Sequence, residues 1–176
     1  IFSAITLIGF PLIGFVISHF FSERSFWSQF QSDYSIAFQL LIGTIYGLAA
    51  AFVCWSVITA RFMNKTRGRY VSKMRELNMS YFDILLISIS AGVGEEILFR
   101  GVLQEFMGIL ITSVVFIAIH GYLNPKDWRI SIYGVVMTVM IMGIGVLFEQ
   151  MGVIAPVLAH TIIDIVLLSL ICKGNF

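Results

Sequence analysis

Apolar residues run along most of this chain in long blocks, separated by short polar or turn-forming clusters. A helix that crosses a bilayer needs about 20 mostly apolar residues. The pattern predicts six such helices, with approximate bounds Ile1–Phe21, Ile36–Ala60, Tyr81–Phe106, Gly108–Tyr122, Ile130–Phe148 and Gly152–Ile171. The fourth block is short and ends before Asn124 and Pro125, where a helix is disfavoured. It could be tilted, re-entrant, or joined to the third block by a tight turn at Met107 and Gly108.

Composition supports a membrane protein. The chain has 176 residues, of which 59% are hydrophobic and 12% charged, and its mean hydropathy is +0.94. Roughly a quarter of the residues of a typical soluble domain carry charge, so that class is excluded. The length fits one domain. We therefore predict an all-α, polytopic membrane bundle of about six helices, forming a single domain over residues 1–176. The chain begins with isoleucine, which leaves room for a preceding N-terminal piece.

Basic residues are concentrated in the segment Arg61–Ser80, between the second and third blocks. This segment holds six of them: Arg61, Lys65, Arg67, Arg69, Lys73 and Arg75. Loops rich in lysine and arginine stay in the cytoplasm. This orientation places nine basic residues inside and only Arg24 outside, with Arg100 within the membrane. The segment is interpreted as a solvated loop that sets topology. The alternative is a short amphipathic helix on anionic lipid, because Val71, Met74 and Leu77 recur at helical spacing.

Small residues recur every fourth position in the second block, at Gly43, Gly47 and Ala51. Such a stripe lets membrane helices approach closely. We expect it to pack helices and to carry no chemistry.

Six ionisable residues lie deep within the predicted helices, where such residues are costly and usually functional. They are Glu95, Glu96, Arg100, His120, His160 and Asp164. Glu96 and Arg100 are four residues apart, so they share a helix face and can form an ion pair. Glu95 points about 100° away from them and is free to act elsewhere. His160 and Asp164 are also four apart.

Chemistry alone allows three interpretations of this cluster. A hydrolytic site that activates water or binds a divalent metal ranks first. A proton or ion path of a transporter ranks second, and a purely structural network ranks third. The estimated depths of these residues in the membrane are compatible with one shared site. Glu95, for example, lies roughly 18 Å from Asp83, which is taken as the cytoplasmic boundary. The cavity is expected to open toward the cytoplasm.

Together these residues resemble the CPBP family of intramembrane proteases, also called the Abi or CAAX protease family. Its three motifs have counterparts here. Glu-Glu-x-x-x-Arg matches Glu95, Glu96 and Arg100; Phe-x-x-x-His matches Phe116 and His120; His-x-x-x-Asn or Asp matches His160 and Asp164. The resemblance covers residues from about 80 to 171.

The resemblance implies a helical bundle around a water-filled cavity and an endopeptidase activity. Family members include the enzyme that trims prenylated CAAX proteins, and bacterial proteins linked to peptide pheromones or bacteriocin immunity. By analogy, Glu95 and His120 would activate the attacking water. His160 and Asp164 would stabilise the oxyanion or position that water, and Glu96 with Arg100 would orient the site.

Asp164 departs from the asparagine that is common in the family. An asparagine can donate a hydrogen bond to an oxyanion, whereas an ionised aspartate cannot. Asp164 would have to be protonated, orient His160, or bind metal. The chain lacks a His-Glu-x-x-His helix, so a Zn²⁺ site would combine His120 and His160 with Glu95 or Asp164 from separate helices. Metal-free activation of water by Glu95 and His120 is preferred, and zinc stays open.

The sequence therefore predicts an intramembrane endopeptidase in a bacterial cytoplasmic membrane, with loop 61–80 inside. Its expected partners are the lipid bilayer and a peptide or membrane-protein substrate, of which a prenylated CAAX-type tail is one option. No nucleic-acid partner is expected, and the oligomeric state is not predicted. The alternatives are a non-enzymatic bacteriocin-immunity or scaffold protein, and a proton- or ion-coupled transporter.

Overall fold

The computed structural model describes residues 2–174 and is built from helices. Their bounds are α1 Phe2–Ala4, α2 Phe10–Phe21, α3 Ile36–Thr59, α4 Asn64–Glu76, α5 Tyr81–Leu98, α6 Gln104–Ile119, α7 Trp128–Met151 and α8 Ile154–Lys173. Short π-helical segments, Ile5–Gly9 and Phe99–Leu103, continue α1 into α2 and α5 into α6, and 3₁₀ turns cover Phe26–Phe30 and Arg61–Met63. No strand occurs within residues 2–174, which confirms the all-α prediction. Ile1, Asn175 and Phe176 of the predicted domain lie outside the described residues.

The helices form a multi-pass membrane bundle. In the described part of the chain, four helical stretches are long and apolar enough to cross a bilayer: Ile36–Thr59, Tyr81–Ile119, Trp128–Met151 and Ile154–Lys173. A shorter apolar helix covers Ile5–Phe21. The stretch Tyr81–Ile119 holds the predicted third block and all of the fourth except its last three residues. The second, fifth and sixth blocks each correspond to one helix, and the described part of the first covers α1, the π-helical segment and α2. The predicted membrane bundle is therefore confirmed.

The stretch Tyr81–Ile119 reverses direction at Gly108. This residue has φ 69° and ψ 169°, a backbone conformation that glycine adopts without the strain of a Cβ atom. The rings of Phe99 and Phe116 lie 5.0 Å apart, although a straight helix would separate these residues by about 25 Å. The tight-turn alternative is therefore the correct one for the fourth block.

Helix α8 packs closely against both α3 and α5 through small residues. A Cβ atom on Gly43 would lie 2.7 Å from the Ala155 carbonyl oxygen, and one on Gly47 would lie 2.8 Å from that of Ala159. On α5, a Cβ atom on Gly92 would come within 2.8 Å of the Val157 carbonyl oxygen. The small-residue stripe of the second block therefore packs helices, as predicted.

The basic segment forms a helix, α4, at the end of the bundle that also carries the α6–α7 loop. Arg69 Nη2 lies 2.8 Å from Asp127 Oδ2, and the Thr66 hydroxyl donates to the same oxygen at 3.1 Å. Arg75 Nε donates to the Ile171 carbonyl oxygen at 3.3 Å. The segment is thus helical, as the alternative interpretation requires, and polar contacts hold it to the bundle. Its position relative to lipid stays a prediction.

We expect Gly47→Ala to destabilise the bundle, because the added methyl group would overlap the backbone of α8. Overpacking of this kind costs about 1–3 kcal/mol. Thermal unfolding in detergent micelles should show a lower midpoint than for the parent protein. The control is Gly68→Ala, since Gly68 is an exposed helical residue with nothing within 4 Å of its added Cβ. This control should be neutral or slightly stabilising, and equal midpoints for the two variants would contradict the packing account.

Candidate active site

Three helices bring the predicted polar residues together in the middle of the bundle. Glu95 and Glu96 come from the last turn of α5, and His120 caps the C-terminal end of α6. His160 and Asp164 lie on α8, one turn apart. The reversal at Gly108 places His120 level with Glu95, since each lies 12 or 13 residues from that turn. All these candidates therefore share one site.

Glu95 lies at the centre of this cluster. Its Oε2 atom is 3.6 Å from His120 Nε2 and 3.9 Å from His160 Nε2, and it receives no hydrogen bond from the described residues. The Glu95 side chain is 13% exposed, whereas that of His120 is 35% exposed. His120 is thus the more exposed member of this pair, on the side toward the end that carries α4, whereas the Glu95 Oε2 atom itself is buried.

The backbone determines which nitrogen of His120 faces Glu95. His120 Nδ1 lies 2.6 Å from the Phe116 carbonyl oxygen. A carbonyl oxygen only accepts hydrogen bonds, so Nδ1 is the donor, and a neutral ring then carries its lone pair on Nε2. An ionised Glu95 also only accepts. Two acceptors therefore face each other at 3.6 Å with no proton between them, so a donor that contacts both would stabilise the arrangement.

Glu96 is fully buried and connects two other members of the site. Its Oε1 accepts a hydrogen bond from His160 Nδ1 at 2.7 Å, and its Oε2 accepts one from Arg100 Nε at 3.2 Å. The predicted pairing of Glu96 with Arg100 is present. The contact with His160 turns Nε2 of that ring toward Glu95 and toward Asp164 Oδ2, which lies 3.6 Å away.

Arg100 has two further partners that were not identified from the sequence. Its Nη1 lies 3.4 Å from Gln104 Oε1 and 3.5 Å from Ser113 Oγ. Gln104 continues the four-residue spacing of Glu96 and Arg100, and this periodicity was an available signal. Ser113 carried no such signal, because only the reversal at Gly108 brings it beside Arg100.

The side chain of Phe116 forms an apolar wall behind the histidines. Its ring packs edge-on against His160 with centroids 5.7 Å apart, and it lies 4.4 Å from the His120 ring. The guanidinium of Arg100 lies 5.7 Å from the centre of the same ring. Phe116, which the sequence identified only as part of a motif, therefore contacts three polar members of the site.

The site as it stands does not fit a resident metal ion. A zinc site needs three or four donors that converge on one point at about 2.0–2.2 Å. No group of three or more histidine, cysteine, aspartate or glutamate side chains within residues 2–174 is arranged in this way. Metal-free chemistry stays a prediction, and we derive no step through a metal.

Comparison with known proteins gives the family. The family model described as type II CAAX prenyl endopeptidase Rce1-like matches residues 77–166, just over half of the chain. The chain belongs to the Rce1-like family. The matched residues include all three motifs, so the resemblance inferred from the sequence is confirmed.

A curated relative is YpbD of Bacillus subtilis (strain 168), an uncharacterized protein. It is 35% identical over 84 residues, which cover 47% of this chain and 42% of that protein. The chain therefore matches less than half of the relative's length. No solved structure gives a significant match.

We expect Arg100→Met to destabilise the Rce1-like protein strongly, because it leaves the buried Glu96 carboxylate without its counter-charge. Removing one partner of a buried ion pair costs about 3–5 kcal/mol. Unfolding in detergent micelles should show this loss, and the double variant Glu96→Gln/Arg100→Met should recover part of it. Arg61→Met, at an exposed arginine, is the matched control and should be neutral. An Arg100→Met protein as stable as the parent would show that the pair is not needed for stability.

Proposed function

We propose that this protein is an intramembrane endopeptidase in which Glu95 and His120 activate the water that attacks the peptide bond. The observation that supports this most directly is the approach of Glu95 Oε2 to Nε2 of the partly exposed His120, at 3.6 Å, in an Rce1-like protein. Neither group has a stronger partner for these atoms. Glu95 Oε2 receives no hydrogen bond, and His120 uses only Nδ1, for the Phe116 carbonyl oxygen.

In the first step, a water molecule held between these two acceptors attacks the carbonyl carbon of the substrate. Its oxygen bonds to that carbon while one of its protons passes to Glu95 or His120. The tetrahedral intermediate then collapses, the C–N bond breaks, and the same base returns the proton to the leaving amine. Charge and protons balance without any further reactant.

His160 stabilises the oxyanion that develops on the carbonyl oxygen. Glu96 accepts a hydrogen bond from Nδ1 and its negative charge favours the doubly protonated ring, which then donates a hydrogen bond from Nε2 into the site. Glu95 and Asp164 lie 3.9 and 3.6 Å from this nitrogen and compensate the charge of the ring. Glu96 and Arg100 act as positioning residues, because both are fully buried and reach the substrate only through His160.

Asp164 has the role of orienting His160. Its side chain is 28% exposed, and its closest contact in the cluster is His160 Nε2. An ionised carboxylate so near the oxyanion would be unfavourable unless the imidazolium lay between them. This geometry supports a positioning role over direct contact with the oxyanion.

The proposed membrane is the bacterial cytoplasmic membrane, with α4 and the α6–α7 loop on the cytoplasmic side. The positive charge of α4 supports this orientation. The more exposed His120 then faces the cytoplasmic half of the bundle, so the substrate is a peptide or a membrane-protein tail that enters from there. A prenylated CAAX-type tail is one such substrate.

We expect Glu95→Gln to abolish cleavage, because an amide cannot take up a proton from water at neutral pH. Membrane and secreted peptides from cells with the parent protein and the variant, at matched abundance, should be compared by mass spectrometry. Peptide termini that depend on the parent protein should disappear in the variant. Glu23→Gln makes the same change at an exposed carboxylate and should leave the profile unchanged.

Other outcomes of this comparison would contradict the proposal. Identical peptide profiles together with a lost pH-dependent flux in Glu95→Gln would favour a transporter. If the cell is still protected after both Glu95 and His120 are replaced, an immunity or scaffold protein would be favoured.

We expect Asp164→Asn to keep activity within about tenfold of the parent and Asp164→Ala to lose most of it. Asparagine has the same shape and can still contact His160, whereas alanine leaves the ring free to turn. Initial cleavage rates with and without a chelator provide the measurement. If Asp164 were a metal ligand, Asp164→Asn would lose bound metal as well as activity. Chelator-sensitive cleavage with stoichiometric zinc would overturn the metal-free mechanism.

A further inference from the structure

A polar cavity of about 560 Å³ lies at the end of the bundle opposite α4. Its walls come from the connection between α2 and α3, the segment around the start of α6, and the last turn of α7. In the proposed orientation this end faces away from the cytoplasm. Arg100 lines the cavity, whereas Glu95, His120 and His160 do not. The cavity is therefore separate from the reacting centre, and no step of the proposed reaction uses it.

Two buried side chains in the cavity wall each have a polar atom without a hydrogen-bond partner among the described residues. Arg100 is 1% exposed, and its Nε and Nη1 atoms are engaged, but Nη2 has no partner. Gln29 is 5% exposed; its Nε2 donates to the Phe26 carbonyl oxygen at 2.9 Å, and its Oε1 receives no hydrogen bond. Buried polar groups are unfavourable without partners. The wall therefore offers one donor and one acceptor to an occupant.

The amide of Gln29 lies directly over Gly101, the neighbour of Arg100. A Cβ atom on Gly101 would overlap Gln29 Oε1, so a glycine is needed for this close approach. The Gln29 backbone is held to the α7–α8 connection, because its carbonyl oxygen accepts a hydrogen bond from Val153 N at 2.9 Å. Neither unpartnered atom is exposed to solvent. An occupant reaches both when the Gln29 amide turns outward from its position over Gly101.

Acidic side chains dominate the mouth of the cavity. Asp33, Glu105 and Glu149 are exposed there, and Arg24 is the exposed arginine among the lining residues. The charge of Arg100 is already paired within the bundle. Three carboxylates and one free guanidinium leave the mouth with two net negative charges. A mouth of this charge attracts cations and repels anions.

These features limit the chemical class of the occupant. The acidic mouth disfavours a simple anion. No three histidine, cysteine, aspartate or glutamate side chains within residues 2–174 are arranged to bind a metal ion. An uncharged sugar would gain nothing from the charge of the mouth.

An ammonium group beside a carbonyl or carboxylate oxygen satisfies all the groups of the wall. The ammonium can donate to Gln29 Oε1 and to the carboxylates of the mouth, and the adjacent oxygen can accept from Arg100 Nη2. Free amino acids and the N-termini of peptides both carry this pair of groups. A cavity of about 560 Å³ is within the usual range of small-molecule sites, about 300–1,000 Å³.

We propose that this cavity binds an α-ammonium group and its adjacent carbonyl or carboxylate, as carried by a free amino acid or by the N-terminus of a short peptide. Gln29 and the acidic mouth bind the ammonium, and Arg100 binds the oxygen. This site goes beyond the proposed peptidase activity and does not depend on it. Because Arg100 bonds to Glu96, and Glu96 to His160, an occupant contacts the buried network from the side opposite the reacting centre.

The test is isothermal titration calorimetry on the full chain in lipid nanodiscs, which leave both faces accessible. Glu95→Gln, a change outside the cavity, serves as the parent so that no probe is hydrolysed. The probes are glycine, triglycine and their N-acetylated forms. At least one free probe should bind, and its acetylated form should bind about tenfold or more weakly, because it lacks the ammonium group. Whether glycine or only triglycine binds distinguishes free amino acids from peptide N-termini.

Gln29→Met in this parent removes the amide acceptor and keeps the length of the side chain. It should weaken binding about tenfold or more. Gln39→Met is the matched control, because Gln39 is also buried and donates its Nε2 to a backbone oxygen, that of Tyr34, at 2.9 Å. Gln39 does not line the cavity, so this variant should keep the parent affinity.

Glu105→Gln gives a second measurement that remains informative if Gln29→Met fails to fold. It removes one exposed charge from the mouth, and glutamine can still accept the hydrogen bond from Ser22. Binding should weaken by about threefold, and the difference should shrink at high salt. Glu76→Gln makes the same change at an exposed carboxylate of α4, at the other end of the bundle, and should leave the affinity unchanged.

The remaining outcomes overturn the proposal. Equal binding of free and acetylated probes would show that the ammonium group is not recognised. Equal affinities in Gln29→Met and Gln39→Met would place the binding elsewhere. No binding of any probe at millimolar concentration would leave water as the occupant. None of these results bears on the peptidase, which the loss of Glu95-dependent peptide termini tests separately.

Discussion

The buried carboxylate of Glu96 is the group on which the arrangement of the site depends. It accepts a hydrogen bond from Arg100 on one side and from His160 on the other, with no exposure to solvent. A charge in this position is tolerated only if its counter-charge and hydrogen-bond donors are already in place. The bundle must therefore bring α5 and α8 into one relative position, and the same requirement aims His160 at Glu95.

Two glycines allow the helices to adopt that relative position. The reversal at Gly108 sends α6 back along α5, so that His120 reaches the level of Glu95 and Ser113 reaches Arg100. The close approach of Gly92 to α8 brings the two motif-bearing helices together one turn before the glutamates. A side chain at Gly108 would be strained by the positive φ, and one at Gly92 would overlap the backbone of α8, so either would disturb the positions that the buried charge needs. Packing and chemistry in this protein are therefore interdependent.

The two glutamates of the motif have different environments and different proposed tasks. Glu96 is fully buried and has two close donors, so its charge serves to hold other groups. Glu95 is 13% exposed, has only distant partners and faces the half-exposed His120. Adjacent residues on a helix point about 100° apart. Glu96 can therefore hold its buried partners while Glu95 faces the proposed substrate site.

The sequence by itself determined the helical class, the approximate membrane segments and the family. Long apolar blocks allow no other architecture, and ionisable residues inside such blocks are rare enough to be recognised individually. The pairing of Glu96 with Arg100 followed from their spacing on one helix. Such local periodicity is readable because a helix places residues i and i+4 on one face whatever surrounds it.

Only the tertiary structure decided which residues meet across helices. Helix rotation and the direction of the chain after Gly108 decide that His160 bonds to Glu96 and that Ser113 contacts Arg100. These contacts join residues far apart in the chain, and no periodicity encodes them. The basic segment shows the same limit: its charge predicted a cytoplasmic location, but its packing as a helix against the bundle depends on partners such as Asp127 and Ile171. Local pattern sets which face a residue occupies, and packing alone sets what that face touches.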